Sequence, residues 1–172
     1  MHETIAEVIP DQECVVQGDL RLTYADLTDR SRRLADVLHD AGLGCRTERS
    51  ELEPHESGQD HVGLYLYNGN EYLEGMLGAY KARVVPFNVN YRYVDEELRY
   101  LFHDAATKGV IFHSSFAPAL ARVLPELPDV TLLLQVDDGS GEDLLPGARW
   151  YEEALAEASP EPLSAKGVEP SP

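Results

Sequence analysis

The chain has 172 residues, 43% of them apolar and 26% charged, enough for one ordinary folded domain and unlike a disordered composition. Its formal net charge of -17, from 31 acidic against 14 basic residues, repels phosphate backbones and argues against nucleic-acid binding. No run approaches the roughly 18 apolar residues of a membrane helix, and residues 1–10 carry Glu3 and Glu7 without a basic-then-apolar leader, so a cytoplasmic protein is expected.

Residues 14–23 read as two short strands around a Gly18-Asp19 turn. Thr23 then suits a helix N-cap, with Asp26 completing a capping box. Tyr24, Leu27, Ser31, Leu34, Ala35 and Leu38 recur at helical spacing up to Gly42, a residue suited to the position past a helix end. Residues 46–60 turn polar and predict a surface loop. A strand is predicted over 62–67, a turn at Asn68-Gly69-Asn70, and a helix over 71–82 with Leu73, Met76, Leu77 and Tyr80 inward. The strand over 84–87 contains Pro86, which argues for a sheet edge or a strand end.

Asp95 is expected to cap a helix bearing Leu98, Leu101, Phe102 and Ala105 on one side. A strand over 109–113, a helix over 116–124, a buried strand over 130–136 and a last helix over 151–158 follow. Two regions result: an α/β unit over 1–158 and a Pro/Ser-rich linker over 159–172 without core residues. From residue 62 strands alternate with helices, which predicts βαβ units forming a largely parallel sheet flanked by helices.

Residue patterns for familiar chemistries are mostly missing. The turn at 68–70 has one glycine, not the GxGxxG of a dinucleotide fold, and no GxxxxGK[ST] occurs. The acidic loop 137–143 places Gly139 and Gly141 where calcium ligands belong, so it reads as a solvated turn. His55, Glu56, Asp60 and His61 crowd the polar loop without metal-ligand spacing. Ser114 and Ser115 follow a strand without a GxSxG elbow. Glu96, Glu97, Glu152 and Glu153 read as solvent faces of helices. Cys14 and Cys45 form no CxxC and read as incidental thiols.

Two stretches carry a resemblance. Leu22-Thr23-Tyr24-Ala25-Asp26-Leu27, with Arg30-Ser31-Arg32-Arg33-Leu34-Ala35 and Leu38, resembles an opening segment of the acyl-CoA synthetases of the AMP-forming ligase superfamily. Residues 76–93, with Lys81-Ala82-Arg83-Val84-Val85-Pro86-Phe87-Asn88-Val89-Asn90-Tyr91-Arg92-Tyr93, resemble the same enzymes' "KAGA-VPVN-x-RY" segment in the right order. The likeness covers residues 4–158 and looks closest to bacterial fatty-acyl and steroid-side-chain acyl-CoA synthetases.

The resemblance implies an incomplete N-terminal portion of the adenylate-forming ligase fold. It also implies a parent reaction that joins a small-molecule carboxylic acid to coenzyme A with ATP and Mg2+. The family's ATP-binding loop would follow the 159–172 linker. The chain by itself is therefore expected to have no catalytic residue, to bind none of these cofactors tightly and to lack ligase activity. Oligomeric state and the acyl substrate stay open, since the family's acyl pocket is formed largely by later residues. Asn90, Tyr91 and Arg92 are the candidate cleft-bordering residues, at a strand's carboxyl end. The competing structural reading has Asn88 and Asn90 bonding the local backbone and Arg92 forking onto Glu96 or Glu97. Arg83 stands where the family has glycine, which puts the tight turn there in question. The 46–60 loop exceeds the family's connection. An apolar face is expected where further sheet would pack. The alternatives are a self-standing, non-catalytic binding or regulatory module derived from the ligase fold, and an acidic interaction protein.

Overall fold

The structure is a computed structural model that describes residues 2–168. A short helix α1 (His2–Val8) leads into an antiparallel hairpin of β1 (Glu13–Gln17) and β2 (Leu20–Thr23). Gly18 turns the hairpin with φ +56°. Helix α2 (Tyr24–Asp40) starts on the expected capping box: the Thr23 hydroxyl accepts the Asp26 N–H at 3.2 Å, and the Asp26 carboxylate accepts the Thr23 N–H at 2.9 Å. Such a cap is worth about 1 kcal/mol.

The second sheet contains β3 (His61–Tyr65), β4 (Val85–Asn88), β5 (Thr107–His113), β6 (Leu132–Val136) and β7 (Arg149–Trp150), in the spatial order β4-β3-β5-β6-β7 and all parallel. Helices α3 (Asn70–Lys81), α4 (Asp95–Asp104), α5 (Ala117–Val123) and α6 (Tyr151–Glu157) connect or follow the strands. The parallel α/β class is thus as the alternation predicts. Pro86 sits on β4, the edge strand, where its missing N–H leaves no interior ladder bond unmade. The two-residue β7 was not anticipated, because so short a strand has no period to read.

Alternation along each buried strand sends side chains to two cores. Val62, Leu64, Ile111 and Leu134 pack with α2, α3 and α6. Tyr65, Val110, Phe112 and Leu133 pack with α4 and α5. This double winding has a consequence for ligands. The chain leaves β3 toward β4 on one side and leaves β5 toward β6 on the other, so the carboxyl ends of β3 and β5 form the switch point at which open α/β sheets bind ligands.

Three expectations need correction. Helix α3 buries Asn70, Glu74, Gly75, Gly78 and Ala79, while Leu73 and Tyr80 face solvent. Close packing decides this: a Cβ on Gly75 would stand 2.9 Å from Leu64, and one on Gly78 would stand 2.8 Å from Leu34. Asp95 is the first residue of α4 and not its cap; the Val94 N–H donates to Glu97 at 3.0 Å. Glu152 lies on the solvent face of α6 as expected, and from there it pairs with Arg30. The segment after Ser159 does reach the core: Leu163 is buried against the α2–α3–α6 cluster, and Lys166 pairs with Asp36 at 2.5 Å. Residues 169–172 of the expected linker lie outside the described residues.

Candidate functional site

The arginines of the first quoted stretch are structural ties. Arg30 forks onto the fully buried Glu74 of α3 at 2.7 and 3.1 Å and onto Glu152 of α6 at 2.5 and 3.0 Å. Asn70 and the Tyr151 hydroxyl donate to the same Glu74 carboxylate at 2.9 and 2.7 Å. Burial works against the Arg30 charge, yet the Glu152 and Glu74 carboxylates outweigh it and raise its pKa. Arg32 binds Glu3 of α1 at 2.9 Å through two nitrogens, and Arg33 donates to the Ala158 carbonyl at the end of α6 at 2.7 Å. Together the arginines fasten α2 to α1, α3 and α6.

The polar loop is fastened too. The Asp60 carboxylate accepts the Gly44 N–H at 2.9 Å and pairs with Arg46 at 2.7 Å. His61 bonds Ser57 at 2.8 Å. The turn at Arg83 keeps its tight form, with Arg83 held at φ +59° and its guanidinium forked onto Glu48 of the loop at 2.9 and 2.7 Å. The two departures from the family pattern are therefore in contact with each other. Among the described residues no group of three or more His, Cys, Asp or Glu side chains could hold a metal ion.

Asn90, Tyr91 and Arg92 lie just past the carboxyl end of β4, all exposed. The Asn90 side chain accepts the Arg92 N–H at 3.0 Å, the expected local backbone bond. The expected fork from Arg92 to Glu96 or Glu97 is not formed; Glu97 is committed to the Val94 N–H, and the Arg92 guanidinium stands over the Tyr91 ring at 5.4 Å. Every other Lys and Arg except Arg49 forms an ion pair. Arg49 gives its guanidinium to the Glu53, Pro54 and Glu56 carbonyls. Among the described residues, Arg92 is the one cation whose side chain has no polar partner.

Sequence spacing missed the residues beside it. Tyr67 follows β3, His113 ends β5, and Phe116 follows directly. Tyr67 is 5.2 Å from Tyr91, 5.6 Å from His113 and 4.9 Å from Phe116, centroid to centroid. Tyr67 and Tyr91 are each 46% exposed, while His113 and Phe116 are buried. Burial lowers the His113 pKa, with the Asp138 charge opposing. Burial would raise Asp138, but hydrogen bonds from Ser115 and Ser140 hold it well below the usual carboxylate range. A strand-ending aromatic or histidine was the available signal. It becomes useful only once the strand order is known.

A cavity of about 520 Å³ lies elsewhere, between α1, α2, α3 and residues 162–168. Its cations, Arg32 and Lys81, both pair with the single carboxylate of Glu3.

The profile of the AMP-binding enzyme family matches residues 3–168. The chain is 54% identical over 160 residues to the medium-chain acyl-CoA ligase Mig of Mycobacterium avium, covering 93% of this chain and 29% of that protein. It is 38% identical over 161 residues to a Mycobacterium tuberculosis medium/long-chain-fatty-acid–CoA/3-oxocholest-4-en-26-oate–CoA ligase, covering 92% and 27%. The chain thus spans less than a third of the length of these relatives. In fold it matches an anthranilate CoA ligase bound to anthranoyl-AMP, with a TM-score of 0.80 at 15% identity over 99% of this chain and 28% of that one. It also matches a Mycobacterium tuberculosis fatty acyl CoA synthetase, with a TM-score of 0.74 at 23% identity over 94% and 28%. The chain belongs to the AMP-binding enzyme family, the expected superfamily of the acyl-CoA ligases.

Proposed function

We propose that this chain serves an acyl-CoA synthetase and that Asn90, Tyr91 and Arg92 border its cleft for the acyl or coenzyme A substrate. The reaction joins a carboxylic acid and ATP to an acyl-adenylate and pyrophosphate, then transfers the acyl group to the coenzyme A thiol with release of AMP. The relatives' names point to medium- and long-chain fatty acids as the acids. In this reading residues 1–158 form an N-terminal α/β subdomain, residues 159–172 link it onward, and adenylation belongs to sequence beyond the matched span.

The observation that supports the cleft is the unpaired Arg92 guanidinium at the carboxyl end of a parallel strand. In a chain of net charge -17 an unpaired surface cation is the natural receiver of an anionic group. Phosphates and carboxylates both match its fork of donors. The test is a calorimetric titration of the chain with coenzyme A. Arg92→Ala should weaken binding about tenfold or more, the worth of a charged hydrogen bond; unchanged affinity would overturn the assignment.

A further inference from the structure

We infer that His113 is a ligand-binding residue, presenting its Nε2–H to an acceptor oxygen of an acidic substrate seated beside the stacked Tyr67–His113 pair. This inference rests on the cleft reading above and extends it from β4 to the β3–β5 switch point.

Three observations carry it. First, the proton's place is dictated by geometry. The Tyr67 backbone N–H donates to His113 Nδ1 at 3.0 Å, so Nδ1 carries the lone pair and the neutral ring must carry its hydrogen on Nε2. Second, that hydrogen is unspent. Nε2 has no partner among the described residues and is not one of the sealed-off orphan polar atoms, so it meets the surface. Third, the place is the one the topology reserves for ligands. Tyr67 just past β3 and His113 at the end of β5 mark the two strands whose outgoing connections run in opposite directions, and β4, which leads into Tyr91 and Arg92, lies beside β3.

The strip is rich in donors and poor in acceptors. The imidazole N–H and the Arg92 guanidinium both seek oxygen atoms, and the two tyrosines add half-exposed ring faces. The nearby carboxylate of Asp138 is occupied, accepting the Ser115 N–H at 3.1 Å and the Ser140 N–H at 3.1 Å. Such a surface suits an oxygen-rich anion: the phosphate or amide oxygens of coenzyme A, or the carboxylate of a fatty acid.

The test uses the chain labelled with nitrogen-15 at histidine, titrated separately with coenzyme A and with octanoate. The free chain should show the His113 ring as the Nε2–H tautomer, and one of the two probes should shift that resonance, which identifies the source of the oxygen. Two variants separate ligand binding from support of the fold. His113→Asn can still accept the Tyr67 N–H but cannot reach the ligand; His113→Gln can reach the ligand but accepts poorly from Tyr67. Melting temperature should be kept by the asparagine and affinity by the glutamine, with affinity in His113→Asn falling about fivefold, the worth of a neutral hydrogen bond. A His113 signal unmoved by both probes overturns the inference, and so does an affinity that survives in His113→Asn. If that variant binds normally while Arg92→Ala does not, the cleft stands and His113 is structural. If variants do not fold, the wild-type titration decides alone.

Discussion

Arg83 shows how one side chain can reverse a local preference. Its φ of +59° belongs to glycine, and an L residue there costs roughly 1–2 kcal/mol. The fork onto Glu48 ties it to the surface loop, and the Gln59 side chain donates to its carbonyl at 2.9 Å. The Glu48 carboxylate is exposed, so solvent screens the pair and strain is the larger effect. Arg83→Gly should therefore raise thermal stability by up to about 1 kcal/mol, while hydrogen exchange through residues 46–60 becomes faster. Slower exchange in that loop, or a lower melting temperature, would contradict this account. The glycine pattern raised the question at Arg83; the answer needed Glu48, 35 positions away.

At the scale of elements, α2 and α3 decide the stability of one core. Gly78 lets α3 approach Leu34 so closely that an added Cβ meets three Leu34 atoms at 2.8–2.9 Å. Replacing a helical glycine by alanine ordinarily gains about 1 kcal/mol in propensity. Overpacking costs about 1–3 kcal/mol, and Leu34 is fully buried with nowhere to swing. The steric cost wins, so Gly78→Ala should destabilise the chain by up to about 2 kcal/mol in denaturant unfolding; a stabilised variant would mean that α3 can shift away freely. The helix itself was readable in the sequence, and so were its ends within a residue. Its buried face was not. Leu73 and Tyr80 outrank Gly75 and Gly78 in hydrophobicity, but the space between α3, α2 and β3 admits only the small ones.

For the whole molecule, charge sets the response to acid. Hydrogen bonds from Arg32 and then Lys81 hold the Glu3 carboxyl at about 2, against an ordinary 4.5, with burial opposing. Thr23 lowers Asp26 and Arg122 lowers Asp95 in the same direction. A carboxylate depressed in the folded state adds stability above its unfolded pKa and loses it as pH falls toward the folded one. Melting temperatures should therefore drop as pH falls from about 4.5 to about 2, and Glu3→Gln should flatten part of that drop. An unchanged slope in the variant would show that Glu3 is equally paired in the unfolded chain. Among the described residues no helix is long and apolar enough to cross a membrane.

The residues by themselves determined what short-range physics controls. The capping box at Thr23 and Asp26, the alternation of strands and helices, and the edge position of Pro86 all depend on neighbours within a few positions. The quoted stretches also named the family. The tertiary structure alone decided that Arg92 is unpaired, that Glu74 anchors three helices, and that His113 faces Tyr67 across 46 positions of sequence. Those relations follow from strand order and from which groups remain unsatisfied after packing, and neither quantity is contained in any local spacing of residues.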